Sequence, residues 1–159
     1  MNKPEKSADL ETPEEVWLVV GGGVELGEIP TEVAAALKCQ AAKIRLPEGR
    51  GTAYGYGWLH ISDNEQRMER IKGLGFATAA EFVLAIAANW TEIIAANEPN
   101  RLILVRHYAG YGLRLVVQHY RRGSLECWSV VTAIPGRKVR PAEVIFSKKE
   151  SKKEDKTDG

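Results

Sequence analysis

Residues 101–135 read RLILVRHYAGYGLRLVVQHYRRGSLECWSVVTAIP, and their hydrophobic period decides the fold. Leu102 to His107, Leu113 to Tyr120 and Leu125 to Ile134 are rich in Val, Leu and Ile and follow a period of two, which puts successive side chains on opposite faces of a strand. The connections, Ala109-Gly110-Tyr111-Gly112 and Arg121-Arg122-Gly123-Ser124, are short enough for hairpins. Three successive antiparallel strands are therefore expected. Strict alternation in the third would turn Leu125, Cys127, Ser129, Val131 and Ala133 one way, and Glu126, Trp128, Val130 and Thr132 the other.

Upstream the period is that of a helix. Thr78 followed by Glu81 has the form of a capping box, and Ala79, Phe82, Val83, Ile86, Trp90, Ile93 and Ile94 recur at helical spacing. A helix over 78–95, ended by Pro99-Asn100, is expected to cover the sheet. A weaker helical pattern runs from Trp58 to Lys72 and stops at Gly73 and Gly75. Thr31 to Lys38 reads as a short helix, Val16 to Val20 and Lys43 to Leu46 as short strands, and Glu143 to Phe146 as a last strand at an edge. The fold class is α+β, with N-terminal helices followed by an antiparallel β-meander packed on a helix. With 159 residues the chain suits one domain, 16–147, between a flexible segment 1–15 and a charged, disordered tail 148–159 with no apolar residue.

Composition narrows the function classes. Hydrophobic residues at 44% and charged residues at 27% describe a folded globular chain. The longest apolar stretch, from Phe82 to Ala96, is interrupted by Asn89 and Glu92 and falls short of the ~20 residues of a membrane span. The polar amino terminus lacks the apolar region of a secretory signal, so no membrane role and a cytoplasmic location are expected. Cys39 and Cys127 read as thiols. Gly21-Gly22-Gly23 follows a strand, but a dinucleotide loop would need glycine where Leu26 stands. The histidines, His60, His107 and His119, form no H-x-x-x-H pair, and C-x-x-C is absent, so neither a metal nor another cofactor is expected.

The net charge of +1 hides a division. Between Arg101 and Arg140 eight basic residues (Arg101, Arg106, Arg114, Arg121, Arg122, Arg137, Lys138 and Arg140) face one acid, Glu126, so the segment carries +7. A polyanionic partner is the natural counterpart of such a segment, although exposed strands also use Arg as ordinary solvent-facing residues. Histidine, glutamate, arginine, tyrosine and threonine beside a basic sheet are the groups of metal-free phosphodiester cleavage. There a base takes the ribose 2′-OH proton, an acid protonates the leaving oxygen and cations stabilise the phosphorane. The internal nucleophile would make RNA the substrate.

The run GYGWLHI, Gly55 to Ile61, resembles the leading motif of the phage-associated nuclease domains grouped with barnase, EndoU, colicin nucleases and RelE. GFATAAEFVLAIAANWTEI, RLILVRH and SVVTAIP are similar to that family's helix and strands in the same order, and LGEIPTEVA and AAKIRLPEG to its lead-in, so the resemblance covers roughly 26–140. It implies a small α+β ribonuclease domain, metal-independent, of the kind carried as a toxin by phage or in conflicts between bacteria. Its RNA could be transfer or ribosomal RNA, and an immunity or antitoxin protein could be its partner. Residue by residue, His60 matches the leading histidine and Thr132 the strand threonine, with Arg106 as a cationic strand residue. Arg114, Arg121, Arg122, Arg137 and Lys138 would hold the nucleic acid. Leu59 stands where the family commonly has Arg, and Glu65 where it has a second His. Two alternatives follow: Glu65 is the base and His60 the acid, or the chain is an inactive relative that only binds. Five residues on a regular helix stand ~140° apart, so the first alternative needs the helix to begin or break between His60 and Glu65.

Overall fold

Along the chain run β1 (Glu5–Lys6), β2 (Leu18–Val19), β3 (Gly27–Ile29), α1 (Thr31–Leu37), β4 (Ala42–Arg45), α2 (Gly57–Ser62), α3 (Glu65–Gly73), α4 (Ala79–Asn89), β5 (Glu92–Ala95), β6 (Arg101–Tyr108), β7 (Tyr111–Arg122), β8 (Leu125–Pro135) and β9 (Val144–Ser147). The structure, a computed structural model, describes residues 4–6, 15–51, 54–136 and 138–148. Most of the segment 1–15 and nearly all of the tail 148–159 lie outside them. Within the first of these, β1 pairs with β2 in a two-stranded sheet. The remaining strands form one seven-stranded sheet in the order β3-β4-β8-β7-β6-β5-β9, so the class is α+β.

The meander β6-β7-β8 sits at the centre of this sheet, and its turns are set by backbone chemistry. Ala109 (φ 51) and Gly110 (φ 84) both lie in the left-handed region, which gives the two-residue turn whose twist matches the strands it joins. At the β7-β8 turn only Gly123 (φ 60), ahead of Ser124, has positive φ. Between these turns the β7-β8 ladder is interrupted once. Val116 pairs with Thr132 and Val117 with Val130, leaving Val131 as an extra residue on β8. This bulge reverses the alternation expected from the sequence. Trp128 and Val130 face the core opposite His119 and Val117, but beyond the bulge Ala133 takes that side opposite Leu115. Thr132, expected on the face of Trp128 and Val130, lies on the other one.

α4 starts where expected. The Thr78 hydroxyl accepts a hydrogen bond from the Glu81 amide at 3.1 Å, and the Glu81 carboxylate accepts from the Ala77 amide at 3.0 Å. Phe82, Val83 and Ile86 of α4 join Leu104, Leu115, Val117 and Val130 of the sheet in one core, each such side chain contributing about 1.5–3 kcal/mol when fully buried. The helix does not reach residue 95. It stops at Asn89, and Glu92–Ala95 form β5, between β6 and β9. Trp90 is pinned outside the helix by donating its indole N–H to the Glu28 carbonyl at 3.2 Å, and the β-branched residues Thr91, Ile93 and Ile94 suit a strand. Their spacing fits a helix face as well as it fits a strand buried on both faces. β3 is a further strand that the sequence reading leaves out. It runs antiparallel to β4, which is parallel to β8, so the sheet is mixed.

β4 accompanies β8 only as far as the Arg45–Ser129 pair; along the rest of β8 the helices α2 and α3 pack. The approach to α2 is a tight backbone crossing. Arg50 and Tyr56 exchange backbone hydrogen bonds of 2.9 and 3.0 Å, and the Trp58 amide donates to the Pro47 carbonyl at 2.9 Å. Gly57 (φ 75) permits it, since a Cβ there would stand 2.6 Å from the Pro47 oxygen. We therefore expect Gly57→Ala to destabilise the fold by at least about 1–2 kcal/mol, the cost of a left-handed backbone with a Cβ, before the clash is counted. A urea midpoint unchanged from the parent would contradict this crossing.

Candidate functional site

Two of the three histidines are already engaged. His107 Nε2 lies 2.5 Å from Glu92 Oε1, and His119 Nε2 lies 2.6 Å from Glu126 Oε2 with its ring against Trp128. His60, half-buried on α2, makes no side-chain hydrogen bond or ion pair among the described residues. Glu65 is exposed at the first position of α3. The helix does break between them, at Asp63 and Asn64, where Asn64 Oδ1 accepts from the Arg67 amide at 2.9 Å and starts a new helix. The helix break that their sharing one substrate requires is thus present, and no hydrogen bond joins the two side chains.

The other two residues expected to act with them are separated by the sheet. Arg106 pairs with Leu113 on the core side, donates to the Ala85 carbonyl of α4 at 3.3 Å and lies 5.5 Å over the Tyr108 ring. Thr132 faces outward. Its hydroxyl instead accepts a hydrogen bond from Arg67 Nη1 at 3.0 Å, while Arg70, one turn further along α3, donates to the Pro135 carbonyl. Arg67 is half-buried. Burial first, and then the charge of Arg70, lowers its pKa below the ordinary arginine value. Since a hydroxyl has one proton to donate and two lone pairs, accepting from Arg67 leaves the Thr132 proton available to an incoming oxygen.

Arg114 extends this constellation. It pairs with Ile134 and so stands diagonally from Thr132 on the same face, roughly 7–8 Å away between backbones. Arg114, Lys138, Arg140 and Glu143 line a cleft of about 470 Å³. Arg114 Nε is buried without a partner beside Gly136, where a Cβ would come within 3.3 Å of it. The Glu143 carboxyl is held below its usual range by the Arg140 backbone N–H and then by the charges of Arg140 and Arg114. Arg121 and Arg122 are elsewhere, seven and eight residues along β7 from Arg114, or roughly 23–27 Å at strand rise. Arg137 lies outside the described residues. The basic segment therefore splits into two poles, and the pole containing Thr132 is completed by α3. Arg67 and Arg70 were missed by a charge count confined to 101–140; their i, i+3 spacing just after the GYGWLHI motif was the available signal.

Comparison with protein-family models, with curated proteins and with solved structures finds no match. Among the described residues, no group of three or more His, Cys, Asp and Glu side chains could hold a metal ion. No helix among them is long and apolar enough to cross a membrane. What the outer face offers is a hydroxyl at Thr132 bonded by Arg67 and, diagonally from it, Arg114 at the wall of an open cationic cleft, groups suited to phosphate oxygens.

A second cleft, of about 270 Å³, lies on the same face, lined by Glu15, Tyr54, Tyr56, Arg101, Gln118, Tyr120 and Ser129 among others. Its wall is braced by Tyr56, which donates to Glu15 Oε2 at 2.6 Å. Burial, followed by that hydrogen bond, pushes the Tyr56 phenol up to about 12. Because the folded value lies above the ordinary 10.0, this phenol's contribution to stability is complete below pH 10 and is lost as pH rises toward 12. Tyr56→Phe should cost about 1.5–3 kcal/mol at neutral pH, the range of a hydrogen bond to a charged group, and should remove one late-titrating tyrosine from an alkaline ultraviolet titration. Loss of a phenol that titrates near the ordinary 10.0 instead would contradict the Tyr56–Glu15 bond.

Proposed function

We propose that this chain binds RNA on the outer face where α3, β7 and β8 meet, beside the cationic cleft at Arg114, and cleaves the bound strand without a metal ion. The observation that carries the reading is the Arg67–Thr132 hydrogen bond at 3.0 Å, on the face that also bears Arg114. In this reading Arg67 and Thr132 hold the scissile phosphate, and Arg114 and Lys138 hold its neighbours. His60 is the general acid or base, free of the carboxylate pairing that engages His107 and His119. Glu65 is its partner in proton transfer. Arg106 has no part, because its guanidinium serves α4 on the opposite face. The resemblance of GYGWLHI to the leading motif of the phage-associated nuclease domains agrees with this reading, and an immunity or antitoxin protein that covers the cationic cleft would fit it.

A second reading is a module that binds RNA without cleaving it. It is favoured by the exposed position of Glu65 and by the lack of a hydrogen bond between Glu65 and His60. Incubation of the protein with transfer and ribosomal RNA in EDTA separates the two. Cleavage should leave 2′,3′-cyclic phosphate ends, and His60→Ala should lower its rate by about 10²- to 10⁴-fold, the range of general acid-base catalysis. Intact RNA throughout leaves the binding module, and Mg²⁺-dependent cleavage would contradict the mechanism. In either case binding should weaken with salt. The slope of log K against log salt should flatten by about 0.7 for each phosphate contact removed by Arg67→Ala or Arg114→Ala, whereas Arg121→Ala should leave it unchanged.

A further inference from the structure

The second outer-face cleft carries groups that phosphate binding does not use. Tyr54 lines it and is 96% exposed, the most exposed large aromatic of the described residues. Gln118 Oε1 accepts from Arg101 Nε at 2.8 Å; as an arginine can only donate, this fixes the amide and leaves both Gln118 Nε2 hydrogens for another acceptor. The Tyr120 hydroxyl is buried with no hydrogen-bond partner, and the Ser129 hydroxyl lines the same space. The cleft, at about 270 Å³, lies at the small end of ligand pockets, which suits one flat polar ring better than a chain.

We propose that this cleft holds a single unstacked nucleobase, stacked on Tyr54 and read on its edge by the Gln118 amide. The inference rests on the RNA reading above, and names what would give that site its sequence preference. Position supports it. Gln118 pairs with Ser129 and Val116 with Thr132, so the base pocket and the phosphate-binding threonine are two residues apart along β7, ~7 Å at strand rise. The bulged Val131 lines the cleft between them. A nucleotide whose phosphate sits at Arg67 and Thr132 has its base, or its neighbour's, within reach of the cleft.

The test compares binding of single-stranded homopolymers of A, C, G and U in EDTA by the His60→Ala full-length chain, with and without changes in the cleft. One homopolymer should bind more tightly than the others. Tyr54→Ala should weaken that complex about 5- to 150-fold, the cost of one lost base stack, without altering the salt slope, and Tyr54→Phe should restore it. Gln118→Ala should erase the preference among the four. Equal binding of all four, or a Tyr54→Ala variant that binds like its parent, would overturn the base pocket while leaving the phosphate cleft intact. If no RNA binds, the functional reading fails by itself, and titration with the four free nucleosides decides the pocket. One of them should then shift the Gln118 side-chain amide signals in a nitrogen-15 spectrum, and no shift with any of them would overturn it.

Discussion

One residue too many on β8, Val131, turns the strand over between Val130 and Thr132, and the arrangement of the outer face depends on that turn. Before it, alternate residues bury Trp128 and Val130 against the helices; after it, Ala133 continues the core opposite Leu115. In an unbroken strand Thr132 would point into that apolar layer, and Arg67 could reach it only by leaving water. A buried hydroxyl and a buried guanidinium would each need to be satisfied there, at a cost a small core does not offset. The bulge avoids this by using one unpaired residue, and such bulges are common where a strand re-aims a side chain.

The two faces then divide the work. The core face is dry: α2, α3 and α4 cover it with Trp58, Ile61, Ile71, Phe82 and Ile86, and Arg106 ties β6 to α4 through the Ala85 carbonyl. The outer face is polar and open over its cationic end, where α3 presents Arg67 and Arg70 to the edge of β8 left uncovered when β4 ends at Arg45. The short β4 thus has a consequence for chemistry. A longer one would pair with β8 where α3 now docks.

Much of this was legible in the residues. Thr78 and Glu81 mark the start of α4, and the Gly-bearing turns at Ala109-Gly110 and Gly123-Ser124 mark the hairpins, because both signals are local. The end of α4 was not, because Trp90, Ile93 and Ile94 satisfy a helical stripe and a fully buried strand alike. Only β6 and β9, on either side of β5, decide between them. The face of Thr132 was hidden for a similar reason: a bulge is a property of two strands in register, and β8 read alone alternates without a break. His60 and Thr132 were singled out from the sequence. Arg67 was not, since what matters is its reach across 65 positions to β8. Arg106 looked available for the opposite reason, its helix partner Ala85 being 21 positions away.

The central claim is that the phosphate-binding surface is the outer face around Thr132, assembled by the bulge from α3, β7 and β8. Chemical-shift mapping of nitrogen-15-labelled protein, titrated with a short single-stranded RNA in EDTA, tests it most directly. The account predicts that signals of Arg67, Thr132 and Arg114 move together along one binding curve, while those of Arg121 to Ser124 at the far hairpin stay in place. Largest shifts at that hairpin, with Thr132 and Arg67 unmoved, would contradict it.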